Sequence, residues 1–155
     1  MRFRFRLNGA TRELEAAPDA VLLDVLRDAG CKGVKYGCHE GVCGACTVLL
    51  DGRAIYACMT FVGQVAGREV TTIEGLGSRD APHPLQSELV AANAVQCGFC
   101  TPGVALAAQS LLAENPAPGR AEIAHALDGN LCRCTGYVKI FKGVENAARR
   151  LRGEP

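Results

Sequence analysis

Gly37-Cys-His-Glu-Gly-Val-Cys-Gly-Ala-Cys46 places Cys38, Cys43 and Cys46 in a Cys-x4-Cys-x2-Cys run, and Cys58 follows at a distance as a fourth thiol. That is the ligand spacing of a plant-type [2Fe–2S] cluster. Gly37, Gly41 and Gly44 alternate with the cysteines. Four thiolates converging on one cluster force the backbone into crowded and left-handed conformations and draw its amides close to the sulfurs, and glycine permits both. Two other readings stand beside this one. A Gly-rich turn next to incidental buried cysteines would carry no metal. Zinc would accept the same thiolates, although structural zinc sites usually join two Cys-x2-4-Cys units.

A second group of four thiols lies further along, as Cys97-Gly-Phe-Cys100 and Cys132-Arg-Cys134. The stretch between the pairs is long enough for two helices, which could bring the pairs face to face. Alone, Cys97-x2-Cys100 would suit a thioredoxin-like redox pair, but that motif belongs with a strand-helix-strand pattern missing from this half. Four thiolates together suggest a second [2Fe–2S] centre, with zinc or a disulfide pair as rivals.

The whole chain of 155 residues has 48% apolar residues, which excludes a disordered polymer, and its formal net charge of +1 lacks the basic footprint of a nucleic-acid binder. Only 5% of residues are aromatic and Trp is absent, which argues against a stacking surface for single strands. No run approaches the roughly 18 apolar residues of a membrane span, so no direct membrane insertion is expected. Met1-Arg-Phe-Arg-Phe-Arg-Leu7 alternates with period two, a strand pattern rather than a signal peptide, which places the chain in the cytoplasm. In that reducing compartment nine cysteines point to metal or redox work rather than disulfides.

Phe3, Phe5 and Leu7 line one face of the first strand, Asn8-Gly9 marks a hairpin, and Thr11 to Leu14 forms the returning strand. Asp19 is a candidate N-cap for a helix carrying Leu22, Val25, Leu26 and Ala29, with Gly30 as its stop. After the cysteine run, Thr47 to Leu50, a turn at Asp51-Gly52 and Ala54 to Cys58 read as a second hairpin, and Val70 to Ile73 as a last strand. A linker follows, rich in Gly, Ser, Asp and Pro. The second half reads as four helices: one with Leu85, Leu89 and Val90; one from Pro102 to before Pro116; one with Ile123, Ala124 and Leu127 ending near Gly129; and one from Val144 to Leu151 with Arg149, Arg150 and Arg152 in its last turn. This gives an α+β chain with domains at 1–76 and 85–155 and a linker at 77–84. Each cysteine pair of the second half precedes a helix, whose free amides favour an anionic centre.

Three runs carry a family resemblance: Gly37 to Gly52 around the first cysteines, Gln96-Cys-Gly-Phe-Cys-Thr-Pro-Gly103, and Gly129-Asn-Leu-Cys-Arg-Cys-Thr-Gly-Tyr137. Together they resemble the iron-sulfur subunit of molybdenum hydroxylases, the superfamily of xanthine dehydrogenase, aldehyde oxidoreductase and carbon monoxide dehydrogenase. The resemblance implies an N-terminal β-grasp ferredoxin-like domain followed by a C-terminal four-helix [2Fe-2S]-binding domain. It implies that Cys38, Cys43, Cys46 and Cys58 hold one cluster, and Cys97, Cys100, Cys132 and Cys134 the other. It further implies a large partner subunit with molybdopterin, which in this family includes the cytosine dinucleotide form, a medium partner subunit with FAD, and a dimer of heterotrimers. Electrons would pass from molybdenum through the helical-domain cluster and the ferredoxin-like cluster to flavin, with Gln96 and Cys134 near the pterin. Substrate is oxidised on another chain, so no residue here would act as acid, base or nucleophile. The cluster loop looks more like those of aldehyde, purine and N-heterocycle hydroxylases than of carbon monoxide dehydrogenases.

Several residues lie outside that pattern. Cys31 stands where family members often carry Thr or another small residue, and reads as a buried small side chain. His39 lies between ligands and suggests Rieske-type ligation, yet four cysteines already complete the set. His83 and His125 read as structural or solvated, and Lys139 as a solvated face. Arg2, Arg4 and Arg6 read as an exposed strand face, where charge would also protect a free edge. Two rival functions remain at this level: a free-standing two-cluster ferredoxin and a zinc-stapled binding module.

Overall fold

The computed structural model describes residues 1–154. The strands β1 (Arg2–Leu7), β2 (Ala10–Glu15), β3 (Thr47–Leu50), β4 (Arg53–Tyr56) and β5 (Glu69–Thr71) form one mixed sheet in the order β2-β1-β5-β3-β4. Period-two alternation in β1 buries Phe3, Phe5 and Leu7 and exposes the three arginines. Helix α1 (Leu22–Asp28) covers the sheet, adding fully buried Leu22, Leu23 and Leu26 to the same core. This is the β-grasp arrangement with the cysteine loop leaving α1 and entering β3.

Three local expectations change. Asp19 does not cap α1; Val21 occupies that position without a side-chain cap. The reason is tertiary: the Leu22 amide donates to Thr60 O at 2.8 Å and Val21 bridges Phe61, so a loop backbone satisfies the first turn. The last strand ends at Thr71, and Ile73 starts a short helix, α2 (Ile73–Leu76), that packs on the helical core. β1 is not a free edge either, since β2 pairs along it and β5 pairs at Arg6 and Leu7. Its arginines instead face acidic neighbours, with Arg2 on Glu13 and Glu15 and Arg6 near Glu69.

The second half contains α3 (Pro84–Ala91), α4 (Thr101–Glu114), α5 (Arg120–Ala126) and α6 (Val138–Leu151). Leu85, Leu89, Val104, Ala108, Ile123, Leu127, Ile140 and Val144 close its core, whereas Val90 is left exposed. Small residues set the distances here. Gly143 lets α6 approach α3 so closely that a Cβ would stand 3.0 Å from Leu89 Cδ2. His83 caps α3 by accepting the Leu85 amide at Nδ1, and burial lowers its pKa. Arg152 lies just past the end of α6 rather than in its last turn.

The two halves are packed together, with α4 against β3 and β4. The Ala54 amide donates to Ser110 Oγ at 3.0 Å, and Gly44 faces Gly103 and Gly129. Gly44 has φ +68°, and an added Cβ would press on the Gly129 carbonyl and on Asn130. Gly44→Ala therefore combines left-handed strain with a wedge between the halves; a loss of about 2 kcal/mol or more is expected, read as a fall of roughly 4–8 °C in Tm.

Candidate metal centres

The loop after α1 places Cys38, Cys43, Cys46 and Cys58 at one end of the sheet, Cys58 on a short 3-10 turn after β4. Their thiols associate in twos. Cys38 neighbours Cys43, and Cys46 neighbours Cys58, whose amide donates to Cys46 Sγ at 3.5 Å. Two further amides, Glu40 and Val42, donate to Cys38 Sγ at 3.3 and 3.4 Å. Those N–H groups pull the Cys38 thiol down to about 6, favouring thiolate. Cys46, by contrast, is pushed up to about 12 by burial. Gly37 leaves room beside the sulfurs: an added Cβ would sit 2.5 Å from Cys43 Sγ.

The second group shows the same pattern. Cys134 Sγ lies 3.6 Å from Cys97 Sγ, and Cys100 neighbours Cys132. Burial pushes Cys100 up to about 12. Burial also acts upward on Cys132, but hydrogen bonds from Thr135 and the Cys134 amide outweigh it and leave that thiol lowered. The bond to Cys97 raises Cys134. Cys100 is the residue before α4 and so sits at its amide-rich end.

This pairing discriminates between metals. A single zinc ion draws all four thiolates onto one point, whereas in a [2Fe–2S] unit each iron takes its own pair. The thiols stand as Cys38/Cys43 with Cys46/Cys58, and Cys97/Cys134 with Cys100/Cys132. The donor set fits two two-iron centres. His39 stays out of both sets, stacked on Tyr36 instead.

One short segment joins the two groups. Asn130, a buried polar residue, donates from Nδ2 to Gly44 O at 3.0 Å and to Thr47 Oγ1 at 3.1 Å. The next amide, Leu131, donates to Cys43 O at 2.9 Å, so a backbone hydrogen bond links a cysteine of the first loop to the neighbour of Cys132. Tyr137 closes the segment from the other side. Its hydroxyl donates to Asn130 O at 3.0 Å and accepts the Cys132 amide at 2.8 Å. Tyr137 is itself left-handed, at φ 68°.

Gln96 and Cys134 also meet: Gln96 Nε2 donates to Cys134 O at 3.0 Å on an exposed face. Sequence reasoning named both groups of cysteines, and Gln96 and Cys134 as pterin-side residues, but missed Asn130, Tyr36 and the hydroxyl of Tyr137. Asn130 and Tyr137 stand in a signature run, but the Asn130 partners lie 83 and 86 residues away, and the contacts of Tyr36 and of the Tyr137 hydroxyl depend on how the loops fold. Sequence also missed the exposed apolar residues, Tyr36, Val42, Met59 and Phe61 by the first group and Val95, Phe99, Leu131 and Val138 by the second. Cys31 is buried, as expected of a packed small side chain, and burial raises its thiol.

Comparison with known proteins agrees with this architecture. Residues 5–68 match the 2Fe-2S iron-sulfur cluster binding domain family and residues 72–145 the [2Fe-2S] binding domain family. The chain is 47% identical over 145 residues to the nicotinate dehydrogenase small FeS subunit of Eubacterium barkeri, covering 93% of this chain and 92% of that relative. It is 46% identical over 142 residues to the nicotine 6-hydroxylase small subunit of Paenarthrobacter nicotinovorans, covering 91% and 86%. Among solved structures, quinoline 2-oxidoreductase from Pseudomonas putida 86 superposes with a TM-score of 0.92 at 42% identity, over 100% of this chain and 98% of that one. Aldehyde oxidoreductase from Desulfovibrio gigas superposes with a TM-score of 0.96 at 41% identity, and there this chain spans only 17% of the longer protein. The chain belongs to the iron-sulfur subunits of the molybdenum hydroxylase family.

Asn130→Ala removes the donor from two buried acceptors and is expected to cost about 1–3 kcal/mol. Hydrogen exchange should report it locally, as faster exchange of the Leu131 amide that is held on Cys43 O.

Proposed function

We propose that this chain is the electron-transfer subunit of a molybdenum hydroxylase, carrying electrons from molybdopterin on a large partner subunit to FAD on a medium one. The observation that carries the reading is the paired arrangement of eight thiols in two groups, joined by the Leu131 to Cys43 hydrogen bond. Cys38, Cys43, Cys46 and Cys58 would hold the flavin-side cluster, and Cys97, Cys100, Cys132 and Cys134 the molybdenum-side cluster. When bound, each [2Fe–2S] centre supplies a site that accepts and releases one electron. This chain's residues hold the irons, donate amides to the sulfurs and fix one loop against the other. Gln96 and Cys134, exposed and hydrogen-bonded to each other, are the contacts proposed for the pterin.

The exposed apolar residues beside each group suit two separate protein contacts, in keeping with two different partner subunits. A dimer of heterotrimers in the cytoplasm follows from the family reading; no helix of the described residues is long and apolar enough to cross a membrane. For substrate, aldehydes, purines and N-heterocycles are the family's range. We favour an N-heterocycle, because relatives named for nicotinate and nicotine, and a structural neighbour named for quinoline, share this small-subunit form.

The test is purification from the native source without a stringent tag, followed by iron, molybdenum and flavin analysis and low-temperature EPR of the dithionite-reduced sample. About four irons per chain and two distinct [2Fe–2S] signals, with molybdenum and flavin, are expected. Iron without molybdenum or flavin would indicate a free-standing ferredoxin, and zinc in place of iron would indicate a stapled binding module.

Two variants sharpen the assignment. Cys43→Ser is expected to remove one EPR signal and about half the iron, and to block delivery to flavin while leaving substrate reduction of molybdenum intact; unchanged turnover of the assembled complex would contradict it. Stripping all iron with a chelator under reducing conditions should lower the stability of both domains, read as lost near-UV dichroism, because thiolate ligation and folding are coupled.

A further inference from the structure

Beside the first cysteine loop, three side chains that ligate nothing are piled together. The Tyr36 ring stacks on the His39 imidazole with centroids 5.0 Å apart and planes 11° from parallel, and the Arg27 guanidinium lies over the same ring at 4.6 Å. The base of the pile is helix α1. Tyr36 donates its hydroxyl to Asp24 Oδ1 at 2.8 Å, and Arg27 is fixed in turn by donating from Nη1 to Val34 O at 2.6 Å. Asp24 and Arg27 are three residues apart, so one face of α1 carries both anchors.

His39 is the tip of the pile and sits at φ 60°, a left-handed region that is unfavourable for a non-glycine residue. Such a conformation persists where its surroundings over-determine it. What it achieves is visible in the next residues: Glu40 and Val42 turn their amides onto Cys38 Sγ. We propose that Tyr36 and His39 are positioning residues for the first iron-sulfur centre, which tie the Cys38–Val42 loop to helix α1, hold those two N–H groups on the Cys38 sulfur, and thereby set that centre's reduction potential.

The inference rests on the two-cluster reading and adds a direction. The reduced centre carries one more negative charge than the oxidised one, so N–H groups aimed at its sulfur favour reduction, and loosening them lowers the potential. Greater access of water would also favour the more negative state, so simple unmasking of the loop moves the potential the opposite way. The sign separates a positioning role from a shielding one.

The experiment is an EPR-monitored redox titration of the full-length, cluster-loaded chain and its variants, with the second centre as internal reference. Tyr36→Leu removes the ring and leaves His39 in place; His39→Gly removes the imidazole and accepts the left-handed backbone; Tyr36→Phe keeps the stack and loses only the Asp24 bond. In Tyr36→Leu and His39→Gly the reduced-to-oxidised ratio of the first centre at a fixed applied potential should fall at least threefold. Tyr36→Phe should fall less, and the second centre should not move. Hydrogen exchange should quicken at the Glu40 and Val42 amides. An unmoved or raised potential of the first centre in Tyr36→Leu and His39→Gly overturns the proposal while leaving the two-cluster reading intact. If His39→Gly loses the first centre, His39→Asn, which tolerates the same backbone, takes its place, with a lowered potential supporting the proposal and an unmoved one overturning it. Absence of either centre from the unsubstituted chain would instead overturn the two-cluster reading.

Discussion

The buried amide of Asn130 is the contact on which the relation between the two halves depends. A polar side chain in a dry interface is costly unless every donor is used, and Asn130 directs its NH2 to the Gly44 carbonyl and the Thr47 hydroxyl. Because Leu131 follows directly, the same contact presents its N–H to Cys43 O. The two loops are thereby held in one register, each within a residue or two of a cysteine. Gly44, Gly103 and Gly129 supply the close approach, since a methyl group at any of them would meet backbone or the Tyr56 hydroxyl.

The cysteines themselves divide by environment. Cys46 is buried and Cys100 half-buried, and burial raises both thiols, so metal ligation would favour their thiolate form. Cys38 is held low by two backbone amides. In the proposed reading, the two amides on Cys38 Sγ would also stabilise added charge on a bound centre.

Much of this architecture is legible from spacing. Period two in Met1 to Leu7, the Asn8-Gly9 turn and the helical recurrence of Leu85, Leu89, Val104 and Ile123 report local burial, and local burial is what side-chain periodicity encodes. The misreadings share one cause. Asp19 is a good capping residue, but Thr60 satisfies α1 from a distant loop; Ile73 suits a strand, but the helical core takes it; Val90 has helical spacing and nothing to cover it. In each case a tertiary contact, or the lack of one, outweighed a propensity worth about 1 kcal/mol or less.

The site divides in the same way. By itself the sequence determined which residues offer sulfur, because a cluster demands thiolates at spacings a loop can close, and such spacings are written in one dimension. Only the tertiary structure decided which thiol pairs with which, that Asn130 and Leu131 bind the first loop to the second, and that α1 reaches through Tyr36 to His39. Those contacts join residues up to 86 positions apart. They form only once both cores have closed, because hydrogen bonds and stacking act over a few ångströms and no local pattern records what a fold will bring within that range.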